Sequence, residues 1–135
     1  MAVTQYLFDT NILSTLIKQP SGLLAKKITK LDETSFCTSI IAACELRYGA
    51  QKKGSRELIS KVELLLANII IMPLGNDVDQ RYAVLRAALE KRGEPISAHD
   101  MLIAAHALAL NLTLVTANER EFNRVPGLVV ENWLR

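Results

Sequence analysis

The chain has 135 residues, half of them hydrophobic and 22% charged, which excludes a disordered tail and predicts one folded domain spanning 1–135. Its formal net charge of +2 falls short of a strongly basic nucleic-acid binder but permits a polyanionic partner. No apolar run approaches the roughly 18 residues of a membrane span. Cys37 and Cys44 have no metal-binding spacing, so we expect buried free thiols in a cytoplasmic protein without membrane contact.

The first predicted elements are a strand and a helix. Residues 3–8 have the apolar and aromatic character of a buried strand, and residues 12–17 repeat apolar side chains at helical spacing. Asp9, Thr10 and Asn11 lie at the junction, where catalytic groups collect in open α/β sheets. The competing interpretation is that Asp9 or Asn11 simply caps the helix.

The rest of the chain continues this alternation. We expect helices near 21–31, 40–53, 56–67, 77–91, 97–110 and 118–123, and strands near 35–39, 69–74, 112–116 and 128–132. Ser39 is placed to cap the third helix, and Gly54 to end it. The order predicts an α/β fold with a mainly parallel central sheet flanked by helices.

Glu45 is the second acid of interest because it shares a helical face with Ile41, Tyr48 and Gly49. A carboxylate on an apolar face is unfavourable to bury unless a cation, a donor or a metal compensates. A partnered core glutamate explains it equally well. Gly49 would leave room for a ligand or for a close backbone.

Asp100 is the third acid, three residues after Ser97. The motif S-A-H-D matches a capping box, which explains Asp100 on its own. Yet Ile103 and Ala104 belong to the predicted buried face, so Asp100 lies where that face meets the helix N-terminus. We expect this to be the same edge of the sheet as Asp9.

A fourth polar position follows the strand at 112–116. Thr116 and Asn118 belong to the motif T-A-N, and Glu119 and Glu121 come directly after it. Asn118 either caps the short helix or supplies a neutral oxygen to a metal or its water, with Glu119 or Glu121 as an extra acid.

Converging carboxylates without a compensating lysine or arginine would repel one another, and a divalent cation is the natural compensating charge. Ligands that are all oxygen atoms favour magnesium or manganese over zinc. Such an ion activates water and offsets charge on a phosphodiester.

Four motifs carry a resemblance that spans essentially the whole chain: YLFDTNILS, IIAACELRYG, HDMLIAAHAL and LVTANEREF. In order and spacing they resemble a PIN domain, specifically a VapC-type toxin ribonuclease of a bacterial toxin–antitoxin pair. The resemblance implies that Asp9, Glu45 and Asp100 are catalytic and metal-binding acids. Asn118 occupies the fourth position, where some members carry Asp, which leaves a second metal site in doubt.

The resemblance further implies a Mg²⁺-dependent endoribonuclease, with Mn²⁺ able to substitute, that cleaves structured RNA such as a tRNA anticodon loop. It also implies a homodimer and a cognate antitoxin that covers the active site. We expect substrate-positioning roles for Thr10, Asn11, Ser14, Thr116, Glu121 and Arg92, although helix capping competes for the hydroxyl and amide side chains. The basic residues Lys52, Lys53, Arg92, Arg120 and Arg124 either hold RNA backbone or face water.

Other functions fit the motifs less well. A phosphatase that forms an aspartyl phosphate uses D-x-D, and Asn11 cannot act as its second acid. A phosphate-receiving signalling domain needs an acceptor Asp at a mid-chain strand end, where Thr38 and Ser39 stand instead. The remaining alternative is a catalytically silent PIN-like scaffold that binds RNA or protein, against which the three retained acids argue. Histidine is not required: His106 fits a structural role, and His99 lies at the rim.

Overall fold

A computed structural model describes residues 3–135. Five strands form one sheet in the order β3-β2-β1-β4-β5, and every pairing is parallel. The strands are β1 (Tyr6–Phe8), β2 (Phe36–Ser39), β3 (Ile70–Met72), β4 (Thr113–Val115) and β5 (Val130–Glu131). The predicted parallel α/β fold is confirmed.

In the described part of the chain, seven helices connect and cover the strands. They are α1 (Thr10–Lys18), α2 (Leu23–Thr29), α3 (Ile40–Lys53), α4 (Arg56–Ala67), α5 (Val78–Lys91), α6 (Ala98–Leu110) and α7 (Glu119–Phe122). Helix α3 packs against α4, and α5 packs against α6. As predicted, Ser39 caps α3, which ends at Gly54 with a φ of 66°. Within residues 3–135, none of these helices combines the length and the apolar character needed to cross a bilayer.

The register of the sheet brings three strand ends to one edge. Phe8, the last residue of β1, pairs with Thr38 of β2 and with Val115 of β4. The next residue, Asp9, donates its backbone N–H to the Val115 carbonyl, 3.2 Å away. Asp9 and Thr116, which follow their strands directly, therefore become neighbours at the carboxyl edge of the sheet.

The core is mainly aliphatic, as the low aromatic content predicts, with Phe8, Phe36 and Phe122 as its buried aromatic residues. Strands β1 and β4 contribute Leu7, Phe8, Leu114 and Val115, all fully buried. Cys37 is also buried, and burial raises the pKa of its thiol to about 12. The expectation of two buried thiols is wrong for Cys44, which is exposed because α3 turns other positions inward.

The strands are shorter than the apolar runs from which they were predicted. β1 begins at Tyr6, and Val3 is 78% exposed. β3 ends at Met72, immediately before Pro73, which has no backbone N–H to donate. Apolar runs therefore overstate the strands, because strand length is set by where a neighbouring strand offers hydrogen-bond partners.

Candidate metal and catalytic site

Asp9 is a buried carboxylate at the end of the central strand. Only 2% of the residue is exposed. One carboxylate oxygen, Oδ1, accepts the backbone N–H of Ile12 at 3.2 Å, and Oδ2 accepts the hydroxyl of Thr116. Capping of α1 by Asp9 is therefore present, but it engages only one of the two oxygens.

The pKa of the Asp9 carboxyl is higher than helix capping alone explains. Burial raises its pKa to about 7, against the opposing hydrogen bonds from Thr116 and Ile12. The charges of Asp100 and Glu45 raise the pKa further. The chain thus keeps a carboxyl group where ionisation is unfavourable and where two more acids act on it.

Glu45 reaches this edge from α3. Its Oε1 accepts the hydroxyl of Thr10 at 2.7 Å, and its Oε2 lies 3.4 Å from His99 Nδ1. The predicted apolar face around Glu45 is wrong, since Tyr48 on the same face is 65% exposed. Glu45 is partly exposed and held by neighbours from α1 and α6, so it is not a buried core glutamate.

Asp100 comes to the site from the N-terminus of α6. Ser97 caps this helix by accepting the Asp100 backbone N–H at 3.2 Å, as predicted. Burial raises the pKa of the Asp100 carboxyl, the Ser97 hydroxyl opposes the rise, and the charges of Glu45 and Glu121 add to it. Glu121 is therefore the acid of α7 whose charge acts on Asp100.

Glu119, the other acid considered for a fourth position, is engaged elsewhere. Its Oε1 accepts hydrogen bonds from Asn132 at 3.1 Å and from Arg135 at 2.6 Å. Asn118 precedes α7, but its side chain makes no capping hydrogen bond to that helix. Capping by the Asn118 side chain is therefore wrong.

Substrate positioning by the smaller polar residues stays a prediction, and Thr10 and Thr116 among them donate hydrogen bonds to Glu45 and Asp9. Asn11 Oδ1 accepts the backbone N–H of Ala117 at 3.0 Å and so ties α1 to the loop after β4. Ser14 lines a cavity of about 170 Å³ together with Thr10, Glu45 and Gly49. A Cβ atom at Gly49 would meet nothing within 4 Å, so the glycine leaves open space and no close backbone.

Arg92 has no ion pair with the three acids and donates to the Arg124 carbonyl at 2.5 Å, so its substrate-positioning role stays a prediction. His99, which was expected at the rim, contacts Glu45 from a different helix. The contact between His99 and Glu45 joins two helices, so the spacing of residues within α6 does not predict it.

The donor set fits a hard divalent cation in chemistry and charge. Across residues 3–135, neither lysine nor arginine forms an ion pair with Asp9, Glu45, Asp100 or Glu121. Carboxylate oxygens are the ligands that Mg²⁺ and Mn²⁺ prefer. In the same range no three His, Cys, Asp or Glu side chains are already grouped closely enough to hold one ion. Thr10 and His99 contact the two Glu45 oxygens. The acids therefore suit a divalent cation by their oxygen ligands and their negative charge, although they are not already arranged around one point.

Comparison with known proteins supports the architecture of the chain. Residues 6–128 match the family model of the PIN domain. The chain is 37% identical to Ribonuclease VapC2 of Rickettsia felis over 130 residues, which are 95% of this chain and 97% of that protein. The chain belongs to the VapC family of PIN domains.

Other VapC relatives cover the chain to the same extent. Identity is 31% to the tRNA(fMet)-specific endonuclease VapC of Salmonella typhimurium, over 96% of this chain and 98% of that protein. The fold matches the crystal structure of VapBC2 from Rickettsia felis bound to a DNA fragment from their promoter, with a TM-score of 0.89 and 34% identity. That match covers 96% of this chain and 99% of the compared chain. The PIN-domain match contains all three principal acids, Asp9, Glu45 and Asp100.

Proposed function

We propose that this VapC-family protein is a magnesium-dependent endoribonuclease, the toxin of a toxin–antitoxin pair, that hydrolyses phosphodiester bonds in structured RNA. The observation that carries the proposal is the buried Asp9 carboxyl, whose pKa is raised to about 7 by burial and, in smaller part, by the charges of Asp100 and Glu45. Folded proteins retain such unfavourable ionisable clusters chiefly where chemistry needs them. The ribonuclease names of its relatives support the same activity.

In this proposal Asp9, Glu45 and Asp100 hold the ion, with Asn118 and Glu121 as further oxygen donors. When bound, the ion lowers the pKa of a coordinated water and offsets the charge that develops on the phosphodiester. Mn²⁺ substitutes because it accepts the same oxygen ligands.

The chain's own contacts orient two of the acids. The Thr116 hydroxyl and the Ile12 backbone N–H each donate to one oxygen of Asp9. Thr10 donates to Glu45 Oε1, and His99 Nδ1 lies 3.4 Å from Glu45 Oε2. These residues position the acids and are not themselves required to exchange protons with substrate.

A tRNA anticodon loop is the substrate we propose, since one relative is named a tRNA(fMet)-specific endonuclease. An antitoxin is the partner we propose, since the compared structure from Rickettsia felis is a VapBC complex. We further propose that the protein acts as a homodimer, which light scattering of the purified chain tests directly.

The test of the nuclease is a cleavage time course on total bacterial RNA and on purified initiator tRNA. The protein, freed of any partner, is assayed with Mg²⁺, with Mn²⁺ and with chelator, beside Asp100→Asn. Asn keeps the backbone capping interaction, so the variant is expected to fold while losing most metal-dependent cleavage. Intact RNA with a folded wild-type protein would favour the catalytically silent scaffold.

A further inference from the structure

A second cluster of charged side chains, rich in arginine, is formed by residues from the loop before α6 and from α7 and the residues after it. Arg92, Arg120 and Arg124 line one open concavity together with Glu94, Asn123 and Pro126. Arg92 and Arg120 are exposed, and Arg124 is half-buried. We call these three arginines the arginine surface.

Backbone carbonyls hold two of these guanidinium groups. Arg92 Nη2 donates to the carbonyl of Arg124 at 2.5 Å, and Arg124 Nη1 donates to the carbonyl of Pro95 at 3.3 Å. A carbonyl fixes a guanidinium group in place but does not neutralise its charge. The remaining donors of each group stay free to bind an anion.

The arginine surface differs in this respect from the other anchored arginines. Arg47, Arg81 and Arg86 each form a hydrogen-bonded ion pair with a carboxylate. In the chain from residue 3 to 135, neither Arg120 nor Arg124 has a carboxylate within 4 Å. Arg92 has one, Glu94, at 3.5 Å, and both side chains remain more than 40% exposed.

The arginine surface is also continuous with the acid site along the chain. Glu121, whose charge acts on Asp100, lies between Arg120 and Arg124 in and directly after α7. Pro95, which binds Arg124, lies in the loop that leads into α6 and Asp100. The segments that carry Glu121 and lead into Asp100 therefore also carry or bind the arginine surface.

We infer that the arginine surface docks phosphates of the RNA strand that flank the bond to be cut, an inference that rests on the proposed function. Guanidinium groups bind phosphate oxygens through paired N–H donors, and carbonyl-anchored guanidinium groups lose less side-chain freedom on binding. The acids repel RNA on their own, so docking beside them supplies the attraction that brings the strand to the site.

The test is RNA binding without metal, so that cleavage does not enter. Fluorescence anisotropy with a labelled single-stranded 20-nucleotide RNA in chelator compares the wild type with the triple variant Arg92→Gln, Arg120→Gln and Arg124→Gln. A matched control removes the same charge from exposed lysines of α2 and its end, in the triple variant Lys26→Gln, Lys27→Gln and Lys30→Gln.

We expect the arginine variant to bind RNA roughly tenfold more weakly, with a log–log salt slope smaller by about 2, because three contacts to a single strand each contribute about 0.7. The lysine variant should keep the wild-type affinity and slope. A third variant, Arg92→Lys, Arg120→Lys and Arg124→Lys, keeps the charge and should keep most of the salt slope. Retained binding in this variant attributes the weaker binding of the glutamine variant to lost charge rather than to disturbed structure.

Equal RNA affinity and slope in the arginine variant and the wild type would overturn the inference. So would unchanged RNA binding with loss of affinity for a partner protein, since the surface would then serve that protein. If the arginine variant loses RNA binding while the wild type cuts no RNA, docking stands and the nuclease proposal fails.

Discussion

Replacing Asp9 by asparagine should make the metal-free protein more stable while removing its activity. The Asp9 pKa is raised from 3.8 to about 7 in the folded protein. Between these values the folded protein holds a proton that the unfolded chain has lost, so the contribution of Asp9 to stability is most favourable below pH 3.8 and falls as pH rises to about 7.

The size of this effect follows from the shift. At about 1.4 kcal/mol for each pKa unit, the ionised Asp9 destabilises the fold by about 4 kcal/mol above pH 7. Asparagine is neutral and similar in shape, but it loses the charge-assisted hydrogen bonds from Ile12 and Thr116. We therefore expect Asp9→Asn to recover about 2 kcal/mol at pH 7.5, or roughly 6 to 10 °C in Tm.

The assay is thermal and urea unfolding in chelator from pH 4.5 to 8, with Asp79→Asn as the matched control. Asp79 is an exposed carboxylate in the first turn of α5, so its loss should change stability by less than about 1 kcal/mol at every pH. Added Mg²⁺ should raise the Tm of the wild type but not that of Asp9→Asn. An Asp9→Asn variant that is less stable than the wild type at pH 7.5, with an unchanged pH profile, would refute the reasoning.

Three further predictions each concern the surroundings of one residue. Glu121→Gln should weaken Mg²⁺ activation of RNA cleavage severalfold while Glu119→Gln leaves it unchanged, and equal effects in a Mg²⁺ titration would contradict the assignment of Glu121. Gly49→Ala should raise the free energy of unfolding by about 0.5 to 1 kcal/mol, because the added Cβ meets nothing within 4 Å. A lower free energy of unfolding in urea denaturation would contradict the open space at this position. Burial lowers the pKa of His106 below 6.5, so in the Asp9→Asn background stability should fall as pH drops below 6.5, and His106→Gln should flatten that loss.

The elements were predictable wherever the signal is local. Ser39, Gly54 and Ser97 stand where the caps and the helix end were expected, because capping depends on residues within one turn. The position of Asp9 was predictable for the same reason, since the strand before it and the helix after it both show in the sequence.

What depends on contacts between distant parts of the chain could not be predicted. The partner of Glu45 is His99, on a different helix, and the partner of Glu119 is Arg135, near the C-terminus. Neither contact has a periodic signature. Likewise, Cys44 has an apolar neighbourhood in sequence but points to solvent, because the fold decides which side of α3 is covered.

The measurement that tests the shared ion site most directly is Mn²⁺ binding followed by electron paramagnetic resonance, with the wild type, Asp100→Asn and the control Asp79→Asn at pH 7.5. If the acids share one ion, Mn²⁺ should bind measurably to the wild type and to the control. The Mn²⁺ affinity of Asp100→Asn should be at least about tenfold weaker, since one charged ligand is lost. Equal Mn²⁺ affinity in all three proteins would contradict the assignment of Asp100 and, with it, the shared site.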